Sequence, residues 1–368
     1  EAEADLRAQS AGLPPMQASN QDALWPEGER VDLEAIPAGV NRAALDAGMK
    51  AACAEPDPKQ PRRRTRALVV AYDGRIVAEC YGSGFDANTP LLGWSMAKTA
   101  TNTLIGLRVQ DGKLATTNRE LLSEWKGDAR SEITLEELLR MTSGLDFKED
   151  YGATGDAGKM LFVESDKSAY AAAKKPLAHP PGTYWDYSSG TTNVLARVLR
   201  RTFADDDDQG YLRYPRERLF EPLGMSSAVF EPDAAGIFVG SSFLYASARD
   251  WARLGLLYLR DGVWQGKRLL PEGWVPYTVT PVREASNERY GAQVWLKLDQ
   301  GPASNLPDLG EPPFPEDAYY MLGHDGQTVA IVPSRDLVIV RLGLTRDDCS
   351  WDPAHLLAPI VNAFPART

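Results

Sequence analysis

The sequence has few cysteines and histidines, and it has no long hydrophobic run. It contains three Cys and three His among 368 residues. Three cysteines allow at most one pair plus a free thiol, and their spacing does not choose the pair. No Cys-x-x-Cys motif and no close Cys/His cluster is present, so no zinc site is expected. No apolar run reaches the roughly 18 residues of a transmembrane helix, so none is expected.

The chain also lacks the basic excess that nucleic-acid binding needs. Its formal net charge is −11, which argues against a nucleic acid as partner. Hydrophobic residues make up 43% and charged residues 25%, as in ordinary globular proteins. At about 150 residues per domain, the length indicates two domains or one large one. The chain begins at Glu1 without Met, as after processing or with a spacer appended for secretion. We therefore expect a periplasmic or secreted protein.

Strand patterns occur near both ends of the chain. Residues 1–60, rich in Pro, Ala and acidic side chains, are expected to wrap the surface. Ala67–Tyr72 is a short apolar run, Asp73-Gly74 is a strong hairpin-turn signal, and Arg75–Tyr81 has the pattern of the returning strand. Apolar and β-branched segments towards the other end predict further strands at Gln293–Leu298, Thr328–Val332 and Leu337–Leu342.

Helical patterns dominate the middle of the chain. The clearest amphipathic segments are Ser95–Gln110, Thr191–Thr202 and Ser247–Arg260. We therefore predict an α+β fold, with an antiparallel sheet flanked by helices and an inserted all-helical domain. Residues 1–113 and 235–368 would form one discontinuous α/β domain, and residues 114–234 the mainly helical domain.

A Ser-x-x-Lys motif at a helix start is one way to activate a serine. Its lysine lies about 4.5 Å further along the helix axis, near the same face. Two matches occur, Ser95 to Lys98 and Ser123 to Lys126. Ser95 opens a long apolar helix that can bury Lys98 and favour its neutral form. Ser123 is followed by a hydrophilic, helix-breaking stretch and is expected at the surface. On the motif alone, Ser95 could equally be an N-cap.

Two further segments carry polar groups suited to the same chemistry. Tyr184–Gly190 is a polar-aromatic loop before a helix, and its Tyr187 could relay a proton to a leaving group. Gly323–Gln327 leads into a strand, and its glycines allow close approach by a ligand. Taken singly, the first segment could be aromatic packing and the second a hairpin turn.

Together, the three segments resemble the serine β-lactamase and penicillin-binding-protein superfamily. Its pattern is Ser-x-x-Lys, then Tyr-x-Asn, then Lys-Thr-Gly or His-x-Gly on a strand, and this order holds here from about Ala67 to Ala363. Other stretches also resemble the family: Leu138–Leu145, Phe220–Met225 and Ala246–Asp250.

The resemblance implies a role for each matching residue. Ser95 would be acylated, Lys98 would be its base, and Tyr187 would be the acid and base near the leaving group. The N–H groups of Ser95 and Gln327 would form the oxyanion hole. Substrate contacts are expected from Trp94, Trp185, Ser189, His324, Asp325 and Gly326. No metal and no organic cofactor is expected.

Two departures from the family pattern bear on the substrate. Ser189 stands where Asn is expected, and His324-Asp325-Gly326 stands where β-lactamases have Lys-Thr-Gly. An acidic Asp325 facing the cleft would repel the carboxylate of a β-lactam. The sequence looks more like the carboxylesterases and 6-aminohexanoate-dimer hydrolases. We therefore expect a serine hydrolase acting on small carboxylic esters or linear amides.

Other interpretations remain open at this point. One is a β-lactamase or D-amino-acid peptidase of the same superfamily. Another is a Ser-His-Asp α/β-hydrolase, with Gly93–Ala97 as a nucleophile elbow and His324 or His355 as base. A third is a binding module without turnover. The sequence makes no prediction about oligomeric state.

Overall fold

A computed structural model describes the protein over residues 16–17, 19–152, 154–163, 168–204, 207–298, 314–346 and 351–367. The strands are Thr65–Tyr72 (β1), Arg75–Tyr81 (β2), Leu91–Leu92 (β3), Val229–Phe230 (β4), Leu244–Ala246 (β5), Val263–Trp264 (β6), Lys267–Arg268 (β7), Tyr319–Gly323 (β8), Gln327–Val332 (β9) and Leu337–Gly343 (β10). The α-helices of five or more residues are Arg42–Cys53 (α1), Ala97–Gln110 (α2), Leu135–Leu139 (α3), Asp156–Phe162 (α4), Ser168–Ala173 (α5), Ser189–Arg200 (α6), Asp208–Pro215 (α7), Ala248–Leu259 (α8), Trp274–Thr278 (α9) and Pro353–Asn362 (α10).

One five-stranded antiparallel sheet joins the two ends of the chain. Its order is β2-β1-β10-β9-β8, so the hairpin of β1 and β2 pairs with strands from more than 250 residues later. Asp73 and Gly74 both have positive φ, as the hairpin turn between β1 and β2 requires. The predicted α+β fold with an antiparallel sheet is therefore confirmed.

Both faces of the sheet are buried, and alternate side chains of each strand point into the two different cores. On β1, Val69 and Ala71 belong to the core that includes Trp251 of α8. Leu68 and Val70 point the other way, into a core formed with residues of α1 and α10. Helices therefore cover the sheet on both sides, and α2 lies on the α8 side.

The helices α3 to α7 lie between β3 and β4 in the sequence. The central one, α6, is almost wholly buried, with ten of its residues in the interior. Thr134 and Glu137 form the capping box at the start of α3. The short β4, inside the region predicted to be mainly helical, pairs with β5. The domain boundaries at 113 and 234 stay predictions.

One predicted strand is wrong, and one strand of the five-stranded sheet was missed, besides the short strands outside it. Gln293–Leu298 forms only isolated bridges through Trp295, because Gln293 has a positive φ of 63° that breaks an extended run. Its buried amide instead donates to the Leu139 carbonyl at 2.8 Å. The missed strand is β8, which forms the sheet edge next to β9.

A disulfide connects Cys53 at the end of α1 with Cys80 in β2. This bond identifies the cysteine pair that the sequence could not choose. Cys349 lies outside the described residues. Part of the N-terminal segment lies against α8, where buried Arg253 donates to the carbonyls of Pro26 and Gly28 at 3.0 and 2.7 Å. Within the described ranges, every helix is too short or too polar to cross a membrane.

Candidate active site

The segment before α2 has a sharply bent backbone that presents Ser95. After β3, residues Trp94–Met96 form a 3-10 turn that runs directly into α2. Trp94 has a positive φ of 49°, a costly conformation for a residue with a side chain. A Cβ on Gly93 would lie 2.2 Å from the Trp251 ring, so only glycine fits there. The bend leaves Ser95 half-buried, whereas Ser123 and Lys126 of the second motif are exposed.

Lys98 is buried in the first turn of α2, directly beside Ser95. Its Nζ lies 3.0 Å from Ser95 Oγ, 3.0 Å from Ser189 Oγ and 3.1 Å from the Ser241 carbonyl oxygen. Burial lowers the pKa of Lys98 to about 8, while the negative charge of Glu149 opposes this effect. The lysine can therefore lose its proton close to neutral pH.

Tyr187 lies beside the Ser95–Lys98 pair. The centre of its ring is 4.8 Å from Lys98 Nζ. Burial and the neighbouring Tyr290 raise the pKa of Tyr187 well above its usual value, although a hydrogen bond with Ser95 opposes this. The phenol is therefore protonated over the physiological range and can donate a proton near Ser95.

Ser189 opens α6 and is completely buried. Its hydroxyl accepts from Lys98 Nζ at 3.0 Å and donates to Glu149 Oε1 at 2.5 Å. The Ser189 backbone N–H donates to the other carboxylate oxygen of Glu149 at 2.8 Å. The residue therefore links the Ser95–Lys98 pair to an acidic side chain.

The turn between β8 and β9 lies close to the Gly93–Met96 segment that precedes α2. A Cβ on Gly323 would lie 2.2 Å from the Gly93 carbonyl oxygen, so the two backbones touch. Gln327 follows the turn, and its side chain is held away by bonds to the carbonyls of His324 and Gly343. Any contribution of Gln327 to the site therefore comes from its backbone.

Within this turn, His324 and Asp325 differ in exposure. The His324 side chain is 55% exposed and the Asp325 side chain 8%, and the two are 3.4 Å apart. Buried Arg341 donates to the carbonyls of Asp325 and Gly326 at 3.1 and 3.0 Å, and these two hydrogen bonds hold the turn in place. Asp325 is thus mostly covered, and His324 is the side chain that the turn presents.

Aromatic side chains gather around Ser95 as an aromatic wall of Trp94, Tyr151, Phe162, Phe243 and His324. Trp94 contacts three of them, with ring centres 5.6 to 6.5 Å apart, and Tyr151 stacks on His324 at 5.7 Å. Such a wall can bind an apolar acyl or alkyl group.

Trp185 lies in a second aromatic cluster with Tyr187, Tyr290 and Trp295. Its ring centre is 5.5 Å from that of Tyr290. The cluster packs against Tyr187, whereas Trp94 belongs to the aromatic wall, so the two tryptophans predicted to contact substrate lie in different clusters.

Sequence reasoning missed Glu149, Phe243 and the Ser241 carbonyl. Glu149 lies in an irregular loop between α3 and α4, 40 residues from its partner Ser189, and no local pattern marks it. Tyr151, two residues on, also donates to Glu149, at 2.8 Å. Among the residues that the structure describes, no group of three or more His, Cys, Asp and Glu side chains could hold a metal ion.

This fold and site define a class of protein, that of the β-lactamase and transpeptidase fold, whose relatives include amide and ester hydrolases. The sequence model of the β-lactamase family matches residues 44–347, which is most of the chain. The chain therefore belongs to the β-lactamase family. Its antiparallel sheet excludes the α/β-hydrolase interpretation, and His355 lies on α10, across the sheet from α2.

Individual relatives include hydrolases and a penicillin-binding protein. A 6-aminohexanoate-dimer hydrolase of Paenarthrobacter ureafaciens is 25% identical over 304 residues, covering 76% of this chain and 72% of the relative. A family VIII carboxylesterase structure has a TM-score of 0.62 at 16% identity, covering 88% of this chain and 95% of the other. A penicillin-binding protein from Bacillus halodurans has a TM-score of 0.60 at 19% identity, covering 82% and 95%.

Proposed function

We propose that this protein is a serine hydrolase that cleaves carboxylic esters or linear amides through an acyl-enzyme on Ser95. The observation that carries the proposal is the buried Lys98, with Nζ 3.0 Å from Ser95 Oγ and a pKa lowered to about 8. A serine hydroxyl becomes a nucleophile when a neighbouring base takes its proton, and neutral Lys98 is placed to do so.

In acylation, Ser95 Oγ attacks the carbonyl carbon while its proton passes to Lys98. The resulting oxyanion would accept hydrogen bonds from the N–H groups of Ser95 and Gln327, each typically worth on the order of 100- to 1000-fold in rate. The carbon–oxygen or carbon–nitrogen bond then breaks, and Tyr187 donates its proton to the leaving alcohol or amine. The proton on Lys98 returns to Tyr187 and restores both groups.

In deacylation, water replaces the leaving group and the same residues act in reverse. Tyr187 and Lys98 would take the proton of the attacking water, whose oxygen adds to the acyl carbon. The bond to Ser95 Oγ then breaks, and Ser95 recovers its proton as the carboxylic acid leaves. The cycle consumes one water and needs no other reactant.

The surroundings of Ser95 favour neutral or cationic substrates over anionic ones. Glu149 contributes a carboxylate next to Lys98, and the exposed Asp186 has a raised pKa, first through partial desolvation and then through the negative charge of Glu149. The position of the β-lactamase Lys-Thr-Gly motif is held by His324, Asp325 and Gly326. The aromatic wall, which includes His324 and Trp94, would take the apolar part of the substrate.

The alternative within the family is a β-lactamase or D-amino-acid peptidase. The penicillin-binding protein among the structures with this fold supports this alternative. It predicts turnover of a chromogenic cephalosporin or of a D-alanyl-D-alanine peptide in preference to p-nitrophenyl butyrate. A comparison of kcat/KM across these three substrates and a linear amide decides between the two functions.

Labelling with a fluorophosphonate probe tests the central claim. We expect the probe to modify Ser95 and to abolish hydrolysis of p-nitrophenyl butyrate. The Ser95→Ala variant should lose both labelling and turnover, whereas Ser123→Ala, which alters the exposed second motif, should keep both. Full activity in Ser95→Ala would refute the proposal, and the absence of labelling and of all turnover would favour a binding module.

We also propose that the protein acts in the periplasm or outside the cell. The Cys53–Cys80 disulfide supports this, because disulfides persist mainly in oxidising compartments. Fractionation of the native host, followed by thiol alkylation of the denatured protein, tests the proposal. Free thiols at both positions in a cytoplasmic fraction would contradict it.

A further inference from the structure

Glu149 lies beside the proposed catalytic residues and is bound by three donors. Its carboxylate accepts from Ser189 Oγ at 2.5 Å, from the Ser189 backbone N–H at 2.8 Å and from the Tyr151 hydroxyl at 2.8 Å. The Ser189 N–H belongs to the first turn of α6, where backbone donors have no partner within the helix. The Glu149 carboxylate therefore caps α6 and at the same time accepts a hydrogen bond from the Ser189 side chain.

We propose that Glu149 is a positioning residue that orients the Ser189 hydroxyl and, through it, aims the lone pair of Lys98 at Ser95. The inference rests on the proposed function, in which neutral Lys98 accepts the Ser95 proton. It assigns Glu149 no contact with substrate and no proton transfer of its own.

The Ser189 hydroxyl hydrogen bond has a fixed direction. A hydroxyl has one proton, and an ionised carboxylate can only accept. The bond of 2.5 Å to Glu149 therefore takes the Ser189 proton. Towards Lys98, 3.0 Å away, the Ser189 oxygen can then act only as an acceptor.

Lys98 Nζ has three hydrogen-bonding neighbours. A neutral amine has two N–H bonds and one lone pair. The Ser241 carbonyl oxygen, at 3.1 Å, always accepts, and Ser189 Oγ must accept because of Glu149. These two acceptors use both N–H bonds, so the lone pair points to the third neighbour, Ser95 Oγ at 3.0 Å.

Both fixed acceptors are held rigidly. Ser189 and Ser241 are completely buried. The Ser241 backbone N–H donates to Asn193 Oδ1 of α6 at 3.0 Å, so the same helix holds both acceptors. Lys98 therefore cannot turn its lone pair away from Ser95 without breaking a buried hydrogen bond.

The charges around Lys98 give the proposal a pH signature. Burial lowers the pKa of Lys98 to about 8, and the negative charge of Glu149 acts against this. The other titratable groups around it are Tyr187, 4.8 Å from Nζ, Tyr290 behind Tyr187, Tyr151 on Glu149, and His324 stacked on Tyr151. Neutralising Glu149 should therefore make Lys98 easier to deprotonate.

The test compares Glu149→Gln, Glu149→Asp and Asp150→Asn in the full chain, with p-nitrophenyl butyrate. In Glu149→Gln, an amide N–H₂ facing the Ser189 N–H would bring two donors together. The N–H₂ therefore donates to Ser189 Oγ, and the Ser189 proton turns towards the Lys98 lone pair. We expect kcat at the alkaline plateau to fall on the order of 100-fold, with KM unchanged. The acidic limb should move to lower pH by roughly one unit.

The two other variants are the matched controls. Glu149→Asp keeps the charge and both acceptors, so activity should stay within about tenfold of the unchanged protein. Asp150→Asn removes a charge from the same loop while keeping an acceptor for the Gly152 N–H, which now donates to Asp150 Oδ1 at 2.8 Å. Its plateau and its acidic limb should both be unchanged.

A double-mutant cycle tests the path through Ser189. Because Glu149 is proposed to act only through that hydroxyl, Glu149→Gln should cost less than about threefold more in a Ser189→Ala background. Multiplied losses would overturn the proposal, and so would a Glu149→Gln plateau equal to that of the unchanged protein. If Glu149→Gln fails to fold, the proposal stands or falls on Ser189→Ala, in which an unchanged plateau overturns it. Failure of the proposed function shows separately, as activity retained in Ser95→Ala.

Discussion

The pH dependence of ester hydrolysis should report the protonation of Lys98. Its Nζ lies 3.0 Å from Ser95 Oγ, and burial lowers its pKa from 10.5 to about 8. This shift corresponds to about 3 kcal/mol of bias against the ammonium form. Because only the neutral amine can accept the Ser95 proton, activity requires that Lys98 be deprotonated.

The sign of the effect follows from the direction of the shift. Below pH 8 the ammonium form dominates, so log kcat/KM should rise with unit slope as the pH increases. At pH 7 about a tenth of the lysines are neutral. Above about pH 8 the profile should level off, because the raised pKa of Tyr187 keeps its phenol protonated. An unshifted lysine would instead give a slope that continues to about pH 10.

The assay is kcat/KM for p-nitrophenyl butyrate at constant ionic strength, from about pH 6 to about pH 9.5. Hydrolysis in the presence of Ser95→Ala supplies the blank for spontaneous cleavage at each pH. A flat profile would refute the reasoning. So would a break near pH 6.5 that disappears in His324→Ala, since that result would make the histidine the base.

Three further predictions follow from the geometry. Lys98→Ala should lower kcat/KM by on the order of 100- to 10,000-fold, whereas Lys126→Ala of the exposed second motif should leave it unchanged; equal effects would contradict the assignment. Cys53→Ser removes a crosslink between residues 27 apart in the sequence. Urea unfolding should therefore show a loss of about 3.5 kcal/mol in the free energy of unfolding. An unchanged unfolding midpoint would count against the disulfide. Phe243→Ala opens the aromatic wall, so kcat/KM for branched acyl esters should rise by up to about tenfold relative to acetate; a uniform change across esters would argue that the wall does not contact the acyl group.

Local patterns were enough to predict much of the fold. The alternation of apolar residues and the Asp73-Gly74 turn predicted β1 and β2, whose residues pair as expected. The helix of Ser95–Gln110 begins within two residues of its predicted start. These features depend on neighbours a few residues apart, so the sequence expresses them directly. The strand predicted at Gln293–Leu298 is wrong because the buried Gln293 side-chain amide donates to the last residue of α3 and the chain bends there.

The order of the motifs and the family they resemble could be established from the sequence, because each motif is a short run with its own local conformation. What surrounds the motifs depends on how distant segments pack. Lys98 is hydrogen-bonded to Ser189, 91 residues further along the sequence, and Glu149 is hydrogen-bonded to Ser189 at a separation of 40 residues. The pairing of Cys53 with Cys80 likewise depends on α1 lying beside β2. Such contacts form when helices and sheet pack together, and burial in that packing is also what lowers the pKa of Lys98.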